Sequence, residues 1–344
     1  MAPLTSQELR LDSRNEHEDS ATFSAPWNEI WTIGVSPQGG YSLSLMIQAA
    51  QAWVRLPSTH SHPTAAPHID PLHVSATFVY PQSISKPLSI VVKPLKRGKG
   101  VTLAQVDLTQ ENTVVLTAKL YLTNFAARRG ADPPIKGPSF PSHPCPLTKP
   151  GEVTSQSKHY GGKQVKFREL ISMRRDDAFE ERNKGKVAGA WFEITGDGER
   201  DGLADGKERG VGYHWLPIFC DMYLRPPEQR DLYPKGTAWW YPTLSLSIEY
   251  KRSLPQDVLL RRWGEVSWVD FTQDGQYDNS VQIWSHPADN HLLDPSMREE
   301  DGPQILAIAR QVALSTPLGQ QGGEKRRMQA RSTSEQGEGK GAKL

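Results

Sequence analysis

Residues 41–53 have the sequence YSLSLMIQAAQAW, which is apolar, rich in helix-forming residues and free of proline. Such a segment predicts a buried helix. The turn SPQGG precedes it at residues 36–40, and four strand-like runs separated by turn residues follow it. Those runs span residues 73–80, 88–95, 101–108 and 113–123. The predicted unit of this fold is therefore one buried helix and the strands that wrap it.

The same order of elements recurs in the C-terminal half. A strand at residues 190–195 precedes a second mostly apolar helix at residues 211–224, where Pro217 is expected to introduce a kink. Strand-like runs follow at residues 244–250, 258–271, 277–284 and 305–315.

The register of this repeat can be checked. Gly40-Tyr41 aligns with Gly212-Tyr213 at an offset of 172, and the same offset aligns the alternating apolar residues of 74–78 with those of 246–250. The sequence thus predicts an α+β fold of two tandem units, each a central helix wrapped by an antiparallel sheet. That arrangement is the double hotdog.

The predicted boundaries follow from changes in composition. Residues 1–22 are polar and predicted to be disordered, residues 23–125 form the N-terminal unit, and residues 126–187 form a proline-rich linker. Residues 188–316 form the C-terminal unit, and the glycine-rich tail 317–344 is predicted to be disordered.

The bulk composition excludes several classes of function. With 37% hydrophobic and 23% charged residues and a net charge of +1, the chain lacks the basic surface expected of a nucleic-acid binder. The N-terminal 20 residues are polar and charged, unlike the apolar core of a signal peptide, and no apolar stretch is long enough for a membrane span. The two cysteines, Cys145 and Cys220, do not suggest a disulfide framework. These features predict a soluble intracellular protein.

Three motifs together carry a family resemblance: WTIG at 31–34 with GGY at 39–41, PTLSLSIEYKR at 242–252, and ARQVAL at 309–314. In this order and spacing they resemble the thioesterase-like double-hotdog superfamily, which includes bacterial acyl-CoA thioesterase II and peroxisomal acyl-CoA thioesterases. The resemblance covers roughly residues 25–125 and 188–316. It implies hydrolysis of an acyl-CoA substrate without a metal or other cofactor, and assembly into a dimer or higher oligomer.

The resemblance also implies the site residues. The catalytic aspartate is expected to be Asp221, with Thr243 and Gln311 holding the attacking water. A carboxylate within the apolar stretch IFCDMY at 218–223 is costly to bury without partners, and such a group is suited to general-base hydrolysis. The non-catalytic alternative is that Asp221 is a helix-terminal carboxylate paired with Arg225. At an offset of 172, Asp221 aligns with Ala49 and Thr243 with Pro71, so one site per chain is expected.

Substrate contacts are predicted at four positions. Gly39 and Gly40 open the first helix, whose backbone N–H groups are expected to bind the thioester oxygen. Lys93 and Arg97 belong to a basic turn that is expected to meet the coenzyme A phosphates, although a merely solvated hairpin is equally consistent with the sequence.

The C-terminal residues Ala342-Lys343-Leu344 form a variant of the S-K-L peroxisomal signal. They predict a peroxisomal location and binding to the peroxisomal import receptor; the alternative is a cytoplasmic protein.

Alternatives remain open at this point. The chain could be a hotdog acyltransferase or biosynthetic-pathway hydrolase, or a non-catalytic acyl-binding protein. Residues 197–208 partly match a calcium-binding loop but lack flanking helices, so a solvated loop is favoured, and His60, His62, His68 and His73 are expected to be ordinary loop residues.

Overall fold

A computed structural model describes residues 9–57, 67–129, 145–159, 165–194, 211–212, 215–222, 239–252 and 259–317. The first predicted helix is confirmed as α1 (Gly39–Arg55), two residues longer at each end than predicted. Gln38 caps its start, because the Gln38 side chain accepts a hydrogen bond from the Tyr41 N–H. Nearly every side chain of α1 is buried, as is typical of a helix enclosed on all sides.

The other α-helices found among the described residues are short. They are α2 (Phe125–Arg129), α3 (Asp177–Arg182), α4 (Leu216–Cys220) and α5 (Asn290–Leu293). Within the described residues, no helix is both long and apolar enough to cross a membrane.

Strands are the main secondary structure of the described residues. They are β1 (Arg10–Asn15), β2 (Ser20–Ala25), β3 (Thr32–Ile33), β4 (Ser36–Pro37), β5 (Asp70–Phe78), β6 (Leu88–Arg97), β7 (Thr102–Gln110), β8 (Thr113–Thr123), β9 (Lys158–His159), β10 (Ile171–Arg175), β11 (Val187–Ile194), β12 (Val211–Gly212), β13 (Trp239–Trp240), β14 (Thr243–Tyr250), β15 (Leu259–Leu260), β16 (Arg262–Trp268), β17 (Thr272–Gln273), β18 (Gln276–Ser285), β19 (Ile305–Leu314) and β20 (Thr316–Pro317).

Most of the described strands belong to one antiparallel sheet of 14 strands, in the order β1-β2-β6-β7-β8-β5-β14-β19-β18-β16-β11-β10-β9 with β17 beside β18. The same topology occurs in both halves of this sheet. In the N-terminal half β1, β2, β6, β7, β8 and β5 are neighbours in that order, and β10, β11, β16, β18, β19 and β14 repeat it in the C-terminal half. In each half a helix, α1 or α4, follows the second of these strands in the chain.

The two halves meet where β5 pairs with β14, and there the predicted offset reappears. Ser75 lies opposite Ser247, and these residues are 172 positions apart. In addition, β5 has a register shift between Pro71 and His73 against β8, and β14 has one at the equivalent place, between Thr243 and Ser245, against β19. A β-bulge repeated at the same position supports the predicted internal repeat.

The main core lies between the sheet and the two helices. Tyr41 of α1 stacks on Trp215, which precedes α4, with ring centroids 5.6 Å apart, and Trp215 also stacks on Trp31. A second, smaller cluster of buried residues lies on the opposite face of the C-terminal strands. Its members are Leu147, Val153, Phe179, Trp191, Val266, Trp284 and Ile305.

Two predicted boundaries need correction. Residues 1–22 were predicted to be disordered, but they contain β1 (Arg10–Asn15) and the start of β2 (Ser20–Ala25), where Ala21 is buried. Within residues 126–187, predicted to be a linker, β9 and β10 extend the sheet and Phe179 fills the second core cluster. Both segments are ordered because they bury apolar side chains against strands that are distant in sequence. The tail 318–344 lies outside the described residues.

The second helix also differs from its prediction. In place of a helix over residues 211–224, the described part contains a two-residue strand, β12, and the five-residue helix α4. Pro217 lies in the first turn of α4, where its missing N–H costs no hydrogen bond, so it begins the helix and does not kink it.

Candidate active site

The site forms where α1 and α4 touch through their backbones. A Cβ on Gly40 would lie only 2.1 Å from the carbonyl oxygen of Pro217, so this approach requires glycine. The contact brings the start of α1 to the end of α4. Asp221, the residue that caps the C-terminus of α4, therefore faces the N-terminus of α1.

Asp221 is held by donors from both halves of the chain. Its Oδ2 accepts hydrogen bonds from the Gly40 N–H at 2.9 Å and from Gln38 Nε2 at 3.0 Å. Its Oδ1 accepts one from the Thr243 hydroxyl at 3.1 Å. A Cβ on Gly39 would lie 2.8 Å from Oδ2, so Gly39 leaves room for this carboxylate.

Burial and hydrogen bonding act on Asp221 in opposite directions. Burial raises the pKa of its carboxyl group to about 6, while hydrogen bonds from Gly40, Thr243 and Gly39 oppose the rise. The N-terminal end of α1 carries a partial positive charge that also favours the ionised form. A carboxyl with a pKa near 6 is largely ionised at pH 7 yet basic enough to take a proton from water, as a general base requires.

Thr243 and Gln311 complete the cluster. Thr243 begins β14, and its hydroxyl oxygen lies 3.3 Å from Gln311 Oε1. Gln311 is on the neighbouring strand β19 and is 1% exposed. Its Nε2 is buried and has no hydrogen-bond partner among the described residues, so this donor is available to a water or a substrate atom.

The structure thus brings together Asp221, Thr243 and Gln311, the three residues proposed from the sequence, and places Gly39 and Gly40 beside them. The alternative partner of the carboxylate, Arg225, lies outside the described residues.

Sequence reasoning missed the role of Gln38. Its Nε2 donates to both Asp221 Oδ2 and the Ile218 carbonyl oxygen, at 3.0 and 3.2 Å, while its Oε1 caps α1. Gln38 is 2% exposed and joins the two helices at the site. The only signal was its place immediately before the glycine pair, because its partners are about half a chain away.

The two basic residues do not join this site. Arg97 is paired with Asp19 at 2.5 Å, and its guanidinium lies 4.0 Å from the ring centroid of Trp53. Trp53 is in the last turns of α1, about 20 Å along the helix from Gly40. Lys93 is exposed, and its neighbour Val92 faces the core, so Lys93 points away from α1. The prediction that both bind substrate at this site is therefore not supported.

Other sequence features have different outcomes. His68 and His73 hydrogen-bond to Thr102 and Ser247, and the described residues contain no group of three side chains suited to a metal ion. The calcium-like loop 197–208, His60, His62 and the residues Ala342, Lys343 and Leu344 lie outside the described residues.

A family model gives the first comparison with known proteins. Residues 27–123, which include Gln38, Gly39 and Gly40, match the acyl-CoA thioesterase N-terminal domain. The predicted family resemblance is confirmed. The matched segment contains α1 and the strands β5 to β8, so the match includes the helix whose N-terminus faces Asp221.

Solved structures extend the likeness to both halves. A provisionally assigned thioesterase II from Thermobifida fusca is 19% identical, with a TM-score of 0.61 over 90% of this chain and 95% of the other. A hotdog-fold protein from Alicyclobacillus acidocaldarius is 17% identical, with a TM-score of 0.61 over 90% and 96%. An acyl-CoA thioesterase II from Mycobacterium marinum is 12% identical, with a TM-score of 0.53 over 90% and 95%. These similarities confirm the predicted hotdog fold.

A sequence relative is found in Mycobacterium tuberculosis. An uncharacterized protein of that organism is 29% identical over 119 residues, which is 34% of this chain and 38% of the relative. The match therefore spans well under half of the relative's length.

Proposed function

We propose that this chain is an acyl-CoA thioesterase built as a double hotdog, with its site in the C-terminal unit completed by α1 of the N-terminal unit. The observation that carries the proposal is the buried carboxylate of Asp221, held by Gly40 and Thr243 beside the unpaired amide donor of Gln311. The match to the thioesterase domain supports thioester hydrolysis, and the repeated topology and the β5–β14 pairing support the double hotdog.

The reaction uses water and these three side chains. Thr243 and Gln311 hold a water molecule against Asp221, which removes a proton as the water oxygen attacks the thioester carbon. A tetrahedral intermediate forms and then collapses with cleavage of the carbon–sulfur bond. The proton held by Asp221 passes to the departing sulfur, giving the free acid and coenzyme A, and the carboxylate is restored.

The first turn of α1 has a different role from the predicted one. Its N–H groups were expected to bind the thioester oxygen, but the Gly40 N–H donates to Asp221 and the Tyr41 N–H donates to Gln38. In the proposed mechanism these donors position the base. The positive end of the helix still lies next to the place where negative charge develops on the substrate.

A location follows as a second part of the proposal. The C-terminal tripeptide, alanine, lysine and leucine at 342–344, supports recognition by the peroxisomal import receptor, and an acyl-CoA substrate suits that compartment. A fluorescent fusion that keeps the C-terminus free should co-localise with a peroxisomal marker, and removal of the tripeptide should leave the fusion in the cytosol.

The activity is tested by thiol release from short-, medium- and long-chain acyl-CoAs. Wild-type protein should release coenzyme A from at least one chain length, and Gln311→Ala should reduce kcat at least about 100-fold because the water loses its positioning. Gln282→Ala is the matched control, since Gln282 lies on the adjacent strand β18 with Val281 and Ile283 facing the core on either side of it. It should keep wild-type activity.

The outcomes separate the rival functions. Transfer of the acyl group to an added alcohol or amine in preference to water would indicate an acyltransferase. Saturable binding of acyl-CoA without release of thiol, by protein shown to be folded, would indicate an acyl-binding protein and would overturn the proposal.

A further inference from the structure

Asn279 is a buried amide that the proposed mechanism leaves unused. It lies in β18, is 0% exposed, and neither its Nδ2 nor its Oδ1 has a hydrogen-bond partner among the described residues. Burying an amide with both polar atoms unpaired is unfavourable, and native proteins retain such groups mainly where a ligand, ion or water completes them.

Two other buried amides in the described part of the chain, Asn290 and Gln110, are fully bonded. The Asn290 side chain donates to the Arg298 and Gly302 carbonyls and accepts from Ser285. The Gln110 side chain likewise donates to backbone carbonyls and accepts from a backbone N–H. The fold therefore can satisfy a buried amide, and the unpaired state of Asn279 is a local feature that needs its own explanation.

The position of Asn279 links it to the proposed active site. It lies directly opposite Gln311 in the β18–β19 pair. Side chains of such a pair share one face of the sheet with Cβ atoms about 5 Å apart. Two residues along β18 in either direction, Tyr277 and Val281 belong to the core beneath the helices, so Asn279 faces that interior as well.

The neighbours of Gln311 along β19 have small side chains. Next to Gln311 on the same face of β19 are Ala309 and Ala313, both buried and both small. The unpaired Nε2 of Gln311 and the unpaired amide of Asn279 are thus neighbours on a part of the face with little side-chain volume.

The two free atoms of Asn279 define the chemistry of the ligand. Nδ2 donates and Oδ1 accepts, and a hydroxyl group can satisfy both because it accepts and donates at once. Asn279 is one strand beyond Gln311, a step of about 4.8 Å, which roughly three or four covalent bonds can span. A substrate whose thioester carbon lies at Gln311 would place a hydroxyl on its third carbon near Asn279.

We infer that Asn279 binds a hydroxyl group on the acyl chain close to the thioester, so that the substrates are 3-hydroxyacyl-CoAs in preference to unsubstituted acyl-CoAs. The inference rests on the proposed function for its reaction, and it assigns Asn279 as the residue that sets the substrate class. An acyl chain without the hydroxyl would displace any water from this amide and leave both polar atoms unpaired.

The test compares 3-hydroxybutyryl-CoA and 3-hydroxyoctanoyl-CoA with butyryl-CoA and octanoyl-CoA. Wild-type protein should favour the hydroxylated ester of each pair by about tenfold or more in kcat/KM. Asn279→Leu should abolish this ratio by slowing hydrolysis of the hydroxylated esters. It should also raise the melting temperature of the ligand-free protein, because an apolar side chain replaces an unpaired amide.

The matched control is Ser280→Ala, the adjacent position, whose side chain lies on the opposite face of β18. It should keep the wild-type ratio. Binding of the same four esters is measured separately by titration calorimetry on Asp221→Asn and on the Asp221→Asn, Asn279→Leu double variant, which needs no turnover.

The outcomes distinguish the two claims. Hydrolysis with equal kcat/KM for both members of each pair would overturn the role of Asn279 and leave the thioesterase proposal standing. No hydrolysis, together with a binding preference for hydroxylated esters that Asn279→Leu removes, would support Asn279 and overturn the thioesterase. Equal binding of all four esters by both calorimetry variants would overturn the inference.

Discussion

Replacing Asp221 with asparagine should abolish hydrolysis, and the stability of the variant relative to wild type should increase as the pH rises from 4 to 8. The reason is that burial raises the pKa of this carboxyl to about 6, despite hydrogen bonds from Gly40, Thr243 and Gly39. In the unfolded chain an aspartate has a pKa of about 3.9. Between about pH 4 and pH 6, Asp221 therefore keeps a proton in the folded protein that it has already released in the unfolded chain.

The sign and size of the effect follow from linkage. A carboxyl whose folded pKa is raised favours the folded state below about pH 4, and this stability is lost as the pH rises to about 6. From a folded value of about 6, the loss is about 3 kcal/mol, and it stays constant at higher pH. Asp221→Asn cannot titrate, so its stability relative to wild type should increase by about 3 kcal/mol between pH 4 and pH 8.

Urea unfolding of both proteins at pH 4.5, 6 and 8 measures this difference. Asp274→Asn is the control, because Asp274 is an exposed carboxylate in the turn between β17 and β18, at a positive φ of 53° that asparagine tolerates. Wild-type kcat/KM should also fall about tenfold from pH 8 to pH 5, following loss of the ionised base. A stability difference that is independent of pH, or an Asp221→Asn protein with wild-type kcat, would refute the reasoning.

Three further changes test how the site is built. Gln38→Met removes the amide that donates to the site carboxylate, so the acidic midpoint of the kcat/KM profile should move to higher pH; an unchanged midpoint would contradict this role. Gly40→Ala forces a Cβ to 2.1 Å from a backbone carbonyl and should cost about 3 kcal/mol or prevent folding, whereas Gly100→Ala, with no atom within 4 Å, should be nearly neutral in urea unfolding. Glu265→Gln should stabilise the protein at pH 8 and much less at pH 4. The reason is that burial raises the pKa of this carboxyl, which is fully buried and has no hydrogen-bond partner among the described residues. Equal changes in stability at both pH values would contradict this explanation.

The sequence was most informative where an element is fully buried or where buried and exposed residues alternate. Helix α1 and strand β8 were predicted almost at their observed bounds, since α1 is apolar on all sides and the buried residues of β8 largely alternate with exposed ones. The offset of 172 also held in the structure, where it relates Ser75 to its direct partner Ser247. The three site residues came from motif resemblance, and the structure places them in contact with one another.

The two boundary errors have one physical cause. Strands β1 and β10 occupy equivalent places in the repeated topology, and both have mostly polar sequences, RLDSRN and ISMRR. Strands near a sheet edge need few apolar residues, so their alternation is too weak to distinguish them from a disordered segment or a linker. Each was therefore excluded from the unit to which it belongs.

The misassignment of Arg97 follows from the same error. A basic residue in a turn is a reasonable candidate for a phosphate contact, but Arg97 pairs with Asp19, which comes from the segment predicted to be disordered. Once that segment is ordered, the arginine has a buried partner and a structural role. Gln38 is a residue whose role was missed and not wrongly assigned. Its role depends on a hydrogen bond to Asp221, 183 residues further along the chain.

The internal repeat provides a control for the whole site. The equivalent of Thr243 in the N-terminal half is Pro71, at the offset of 172. The equivalent of Gln311 is Leu120, because Leu120 pairs with Val74 as Gln311 pairs with Leu246. The equivalent of Asn279 is Ala104, because Ala104 pairs with Leu120 as Asn279 pairs with Gln311. The same topology thus forms in the N-terminal half with apolar residues in this row. The fold does not require a polar row here, and a buried polar row that the fold does not require is best explained by the ligand it meets.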